Sequence, residues 1–157
     1  TQLGYQAESG PWRNFYLTGA RDLFKKDVPY TSQLINDGVL AQMDMGTLLD
    51  YCAIQLNGKK AAGKEAVINI NFTDTKEKVM LMLNNEVLNH RLDSQDKKAD
   101  LTLEIAKMDF VKLFFGRTDL QTLLKTNKVR TTGNTKAMEV ICSAYEPADP
   151  NFKIVLP

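Results

Sequence analysis

Between Ala66 and Ile105 the chain reads four times as a β-strand, and helical spacing flanks this block on both sides. Ala66 to Thr73 alternates Ile68, Ile70 and Phe72 with Asn69, Asn71 and Thr73, which predicts one buried and one wetter face. Lys78 to Leu83 is apolar on both faces after its lysine, so it needs two covers. Asn84-Asn85 reads as a hairpin turn, because both residues tolerate positive φ. Glu86 to Leu92 returns with Leu88 and Leu92 on one face; after the charged stretch Asp93 to Lys98, Ala99 to Ile105 repeats the alternation. Four such runs in succession predict an antiparallel meander.

The flanks have a different period. Ser9-Gly10-Pro11-Trp12 opens a helix to Lys26, with Ser9 as its cap and Trp12, Phe15, Tyr16, Ala20, Leu23 and Phe24 mostly at three- and four-residue intervals. That side must be buried against something, and no nearby segment supplies an obvious partner. Pro29 and its polar neighbours predict a linker, with a soft boundary between Asp27 and Met43. Met45, Leu48, Leu49, Cys52, Ala53 and Leu56 form one face of a second helix, ended by Asn57-Gly58. Beyond the strands, Phe110, Leu113 and Phe114 share a helical face that stops at Gly116, and Asp119 to Lys125 is a short helix. Lys128 to Thr132 is a strand closing on Gly133, and Thr135 to Tyr145 is a last helix carrying Met138, Ile141, Cys142 and Tyr145. Phe152 to Leu156 is a candidate edge strand. The expected fold class is α+β, a mainly antiparallel sheet covered by helices and preceded by a helical segment.

Charge and composition exclude several functions. Twenty Lys+Arg against 19 Asp+Glu give a net charge of +1, without the basic excess of a nucleic-acid binder. With 43% hydrophobic and 25% charged residues the 157-residue chain is globular, and its apolar runs fall short of the roughly 20 residues that span a bilayer. The one histidine, His90, excludes a His-rich zinc site in this chain and reads as a partly buried strand residue. Cys52 and Cys142 read as free core thiols. Gly58, Gly63, Gly116 and Gly133 stand at separate element ends and make no phosphate loop, and Asp74 with Glu77 reads as a solvated turn. Starting at Thr1 with no signal-like run, the chain reads as an excised piece. What stands out is flexible and bulky apolar material, methionine above all, which reads equally as the gap-filler of an ordinary core and as lining suited to ligands of variable form.

Three groups of residues carry a resemblance. Ala99-Asp100-Leu101-Thr102-Leu103-Glu104-Ile105, Met108-Asp109-Phe110 and Phe115-Gly116-Arg117, with the short helix and strand closing on Gly133, resemble the sterol-carrier-protein-2-like domain over about Asp44 to Pro157. That resemblance implies five strands with helices packed over them, enclosing an apolar tunnel for fatty acyl chains. Leu3 to Ala20, which reads LGYQAESGPWRNFYLTGA, is similar to the end of the helical dimerisation domain of bacterial alkyl sulfatases. Those enzymes belong to the metallo-β-lactamase superfamily and carry a sterol-carrier-like domain at their C-terminus. The resemblance implies residues 1–26 as the end of the dimerisation domain, 27–42 as linker and 43–157 as an apolar-ligand domain. It also implies zinc in a separate catalytic domain, none in this chain, with a homodimer and a periplasmic or secreted setting.

Two functions follow as expectations. The first is recruitment of long-chain alkyl sulfates such as dodecyl sulfate for hydrolysis by a separate two-zinc domain. Residue type and period then nominate Met80, Met82, Phe110, Leu113, Phe114, Leu120, Leu124 and Met138 as apolar lining, with no catalytic residue. The second is a structural or dimer-assembly module presenting Trp12, Phe15, Tyr16, Leu23 and Phe24 as an interface. A stand-alone lipid or sterol carrier is the further alternative.

Overall fold

The computed structural model describes residues 1–24 and 36–147, which fall into two compact units on either side of residue 34. In the first unit, helix α1 (Gln2–Gln6) packs against α2 (Gly10–Phe24). Glycine at position 4 permits the approach, since a Cβ there would lie 2.7 Å from Leu17 Cδ2. Arg13 closes the pair by donating to the Ala7 carbonyl at 3.0 Å. Helix α1 thus covers α2 around Leu17, but the side expected to be buried is not covered among the described residues: Trp12, Phe15, Leu23 and Phe24 are exposed. Lys25 and Lys26, part of the expected linker and the candidate strand from Phe152 to Leu156 lie outside the described residues.

The second unit holds α3 (Asp37–Gln42), α4 (Met45–Ile54), α5 (Gly58–Ala61), β1 (Ala66–Phe72), β2 (Lys78–Asn84), β3 (Val87–Leu92), β4 (Leu101–Ile105), α6 (Lys107–Phe114), α7 (Leu120–Lys125), β5 (Val129–Gly133) and α8 (Lys136–Ser143). Capping accounts for several boundaries. Asp44 and Asp119 accept from the Thr47 and Thr122 amides at 3.0 and 2.7 Å, and these bonds hold both carboxyls below their ordinary range. Asn57 does not end α4 with positive φ as expected; at φ −84° it caps α5, accepting from Lys60 N. Ala106 cannot cap α6, and Asp74 does so from the β1–β2 turn, with both carboxylate oxygens 3.1 Å from Lys107 N. The turn expected to be solvated surface thus anchors a helix. Lys107 itself is buried, and its ammonium donates to the Ala41 carbonyl at 3.0 Å and to the Met43 carbonyl. Asp37–Gln42, inside the stretch read as linker, is thereby a fixed helix with Leu40 buried.

The five strands run in the order β3-β2-β1-β4-β5. Three pairings are antiparallel, but β1 and β4 pair in parallel, so the expected meander is corrected. The chain leaves edge strand β3 and crosses the sheet to enter beside β1. The crossing is held by a side chain that mimics backbone: Asn69 Nδ2 donates to Asp96 O at 2.7 Å, and Asn69 Oδ1 accepts from Asp96 N at 3.0 Å. Gln95 donates to Asn71 Oδ1 at 2.5 Å. The face of β1 read as wet is therefore roofed by chain, and Asn69 is buried. Asp100 completes the join, its carboxylate accepting from Val67 N at 2.8 Å. Gly133, at φ +107°, lies so close that a Cβ would come within 2.4 Å of Asp100 O. The β2–β3 turn is centred one residue later than expected, with positive φ at both Asn85 and Glu86.

Ile68, Ile70 and Phe72 share their face with Val79, Leu81, Leu83, Leu101, Leu103 and Ile105 by register. All are buried, and Phe72 meets Phe110 of α6 edge-on at 5.6 Å, so this face carries the helices and the core. Cys52 within it and Cys142, half-buried against it, are free thiols, and burial pushes both up to about 12.

Two outcomes follow. Asn69→Ala strands the Asp96 peptide groups and should cost about 1–3 kcal/mol in urea unfolding. Asn71→Ala, whose partner is the exposed Gln95 side chain, should cost clearly less; equal effects would refute the clamp. The thiols are protonated when folded but ionise near 9.0 when unfolded, so the unfolded chain releases protons first as pH rises. Their stabilising contribution is complete below pH 9 and is lost between about 9 and 12. Unfolding free energy measured across that window should fall less steeply in the Cys52→Ala, Cys142→Ala double variant.

Candidate functional site

The nominated apolar residues divide into two groups. Phe110, Leu113 and Phe114 come from α6, Leu120 and Leu124 from α7, and Met138 from α8. All six lie on the helix side of the sheet in one core cluster, fully buried except the half-buried Leu124. Their neighbourhood is aromatic. Phe110 meets Phe114 at 6.1 Å, Phe114 meets Phe115 at 5.3 Å and Tyr145 at 6.0 Å, and Phe115 meets Tyr51 at 5.7 Å. These rings form a continuous path from Phe72 on the sheet to the half-buried Tyr51 and Tyr145. Burial, followed by the neighbouring Tyr51, raises the Tyr145 phenol above its ordinary range.

Tyr51, Phe115 and Tyr145 were not among the nominated lining residues. Their signal was present but diluted. Tyr145 falls on the apolar face of the last helix read from the sequence, two residues past the end of α8, and Tyr51 lies beside Cys52 but off the main stripe of α4. An isolated bridge joins the two helix ends, Leu56 to Tyr145, with Asn57 N donating to Ala144 O at 2.8 Å.

Met80 and Met82 are not with the others. Antiparallel register sets Met80 beside Asn69 and Met82 beside Val67, on the face that Asp93 to Asp100 crosses. Met80 is buried there and Met82 is half-buried. The sheet itself stands between this pair and Phe110.

Groups capable of bond chemistry are sparse. His90 is partly buried on β3 with Nδ1 3.7 Å from Asp50 Oδ1. Among the described residues no group of three or more His, Cys, Asp or Glu is gathered as a metal would require. The thiols are held protonated, which suppresses nucleophilic reactivity. Among the described residues no helix is long and apolar enough to cross a membrane. In the first unit, Trp12, Phe15, Leu23 and Phe24 are exposed, Phe24 to 82%, and Tyr16 is half-buried. Trp12 packs against Tyr16 at 5.7 Å, and Pro11, Trp12 and Phe15 line a shallow apolar depression of about 300 Å³.

Known proteins are similar to this chain in sequence and fold. Residues 33–157 match the family described as alkyl sulfatase C-terminal. The chain is 37% identical to a linear primary-alkylsulfatase of a Pseudomonas species over 99% of its own length and 23% of that protein's. It is 33% identical to an (R)-specific secondary-alkylsulfatase, also from Pseudomonas, with the same two coverages. The solved structure of the stereoselective inverting sec-alkylsulfatase Pisa1 from Pseudomonas superposes with a TM-score of 0.87 at 32% identity, over 98% of this chain and 24% of that one. The chain thus spans about a quarter of the length of the relatives it matches. With four-fifths of its residues inside the family's bounds, the chain belongs to the alkyl sulfatase C-terminal family.

Proposed function

We propose that this chain is the non-catalytic, alkyl-chain-binding C-terminal portion of an alkyl sulfatase. In this reading it recruits long-chain alkyl sulfates, such as dodecyl sulfate, for hydrolysis at a two-zinc centre elsewhere in the protein. The observation that carries it is the match over 99% of this chain to about a quarter of enzymes named alkylsulfatases. The donor set here does not fit zinc: His90 has one carboxylate, Asp50, near it, and no third ligand group is gathered among the described residues. Hydrolysis is therefore assigned to the remainder of the protein. The contribution of residues 43–157 is apolar surface, and each buried methylene is worth about 0.8 kcal/mol. In this reading the domain begins before residue 43, since α3, inside the stretch read as linker, belongs to its unit.

The exposed aromatic face of α2 favours a second role for residues 1–26. Four large apolar side chains left in water on one short helix are an association surface, and a homodimer contact is the reading we infer for Trp12, Phe15, Tyr16, Leu23 and Phe24.

Titrating the 157-residue chain with alkyl sulfates below their micelle thresholds should give saturable binding. Affinity should rise with tail length, by at most about fourfold per methylene. Absence of saturation, or an affinity indifferent to tail length, would defeat the recruitment role. Sedimentation should find the chain associated, and Trp12→Ser with Phe15→Ser should shift it toward monomer. A wild-type chain that stays monomeric at all concentrations would remove the assembly role.

A further inference from the structure

The outer face of β2 and β3 carries the groups that an anionic amphiphile needs. Two cross-strand rows lie side by side there: Asn69, Met80 and Arg91 in one, and Val67, Met82 and Asn89 in the other. Met82, Asn84, Asn89 and Arg91 line an open cleft of about 330 Å³, which His90 also borders although register sets it beside Leu81 on the helix side, 3.7 Å from Asp50. Neither row contains a carboxylate. The next row brings a second cation, Lys78, and Asp93 beyond the strand end beside it. Arg91 is exposed, and among the described residues its guanidinium makes no ion pair or hydrogen bond. The other two arginines of this unit differ, Arg117 pairing with Asp37 and Arg130 with Glu104 at 4.0 Å.

We propose that this cleft binds a single-chain anionic amphiphile of the alkyl sulfate class. Arg91 takes the anionic head, and Met82 and the Arg91 stem take the first methylenes. A guanidinium offers parallel donors that match the oxygens of a sulfate ester, and its aliphatic stem covers apolar surface. Methionine conforms to a tail of any conformation. This rests on the recruitment reading above but moves the contact. The helix side of the sheet is filled by packed rings, whereas the outer side offers a half-buried methionine beside an unpaired cation.

The test uses the 157-residue chain and dodecyl sulfate below its micelle threshold, followed by calorimetry and by amide chemical shifts. Arg91→Gln should weaken dodecyl sulfate binding about tenfold, the loss of one charge-assisted contact, and weaken dodecanol, which loses only contact with the Arg91 stem, far less. Met82→Ser should weaken both ligands, and shift changes should centre on Met82 to Arg91. Thermal melting of each variant at the wild-type temperature establishes that it is folded. Undiminished dodecyl sulfate binding in Arg91→Gln, or equal weakening of dodecanol, overturns the head-group assignment. Shift changes confined to α6, α7 and α8 overturn the cleft while leaving recruitment in place under the helices. No saturable binding by the wild-type chain removes both.

Discussion

A parallel pair in the middle of an otherwise antiparallel sheet requires the chain to cross over the sheet, and here the buried amide of Asn69 fixes that crossing. One carboxamide satisfies both the N–H and the C=O of Asp96, at 3.0 and 2.7 Å, as a neighbouring strand would. Without it, β1 would bury an amide and the crossing would leave two peptide groups with only partial access to water, each of which is costly. With it, β4 can lie beside β1, and Asp100 can bond Val67 N and pack its carbonyl against Gly133. β5 then pairs antiparallel with β4 along its length, Gly133 beside Leu101.

The crossing also divides the sheet by chemistry. All the longer helices of the second unit gather on one side, where Ile, Leu and Phe side chains interlock. The other side receives a polar connection over β1 and leaves β2 and β3 partly uncovered. A strand with apolar residues on both faces, as in Lys78 to Leu83, is the sequence trace of this division. Val79, Leu81 and Leu83 are covered by helices, whereas Met80 and Met82 lie under and beside the connection.

Periodicity located these elements because each buries one face, and burial on one face is what a period records. The strands came within about two residues of their observed bounds, and Gly116 and Asp119 marked helix ends by local chemistry. Pairing was not legible in the same way. Asn69 and Asn71 give the same alternation whether they face water or a roof of backbone, so nothing local separates a meander from a crossing. Asp74 reads as a turn residue from its neighbours alone; its role depends on Lys107, 33 positions away. The same limit divided the candidate site. Residue type nominated Met80 with Phe110, but whether two apolar residues meet depends on register, and register set them on opposite faces.

A ligand with a charged head and a flexible tail makes two demands that one environment rarely meets. The interior between helices and sheet would accept methylenes, but an anionic sulfate there would lose its hydration unless donors replaced it. The only cationic side chain buried in the second unit, among the described residues, is Lys107, and its ammonium already serves the carbonyls of Ala41 and Met43. Arg91 on the outer face keeps its hydration until an anion displaces it, and the apolar contact sits one row away. For such a ligand, electrostatics therefore favours a head held at a surface cation, of which Arg91 is one, whatever path the tail takes. The helix side can compete only for the tail, and only by separating the rings that join Phe72 to Tyr145.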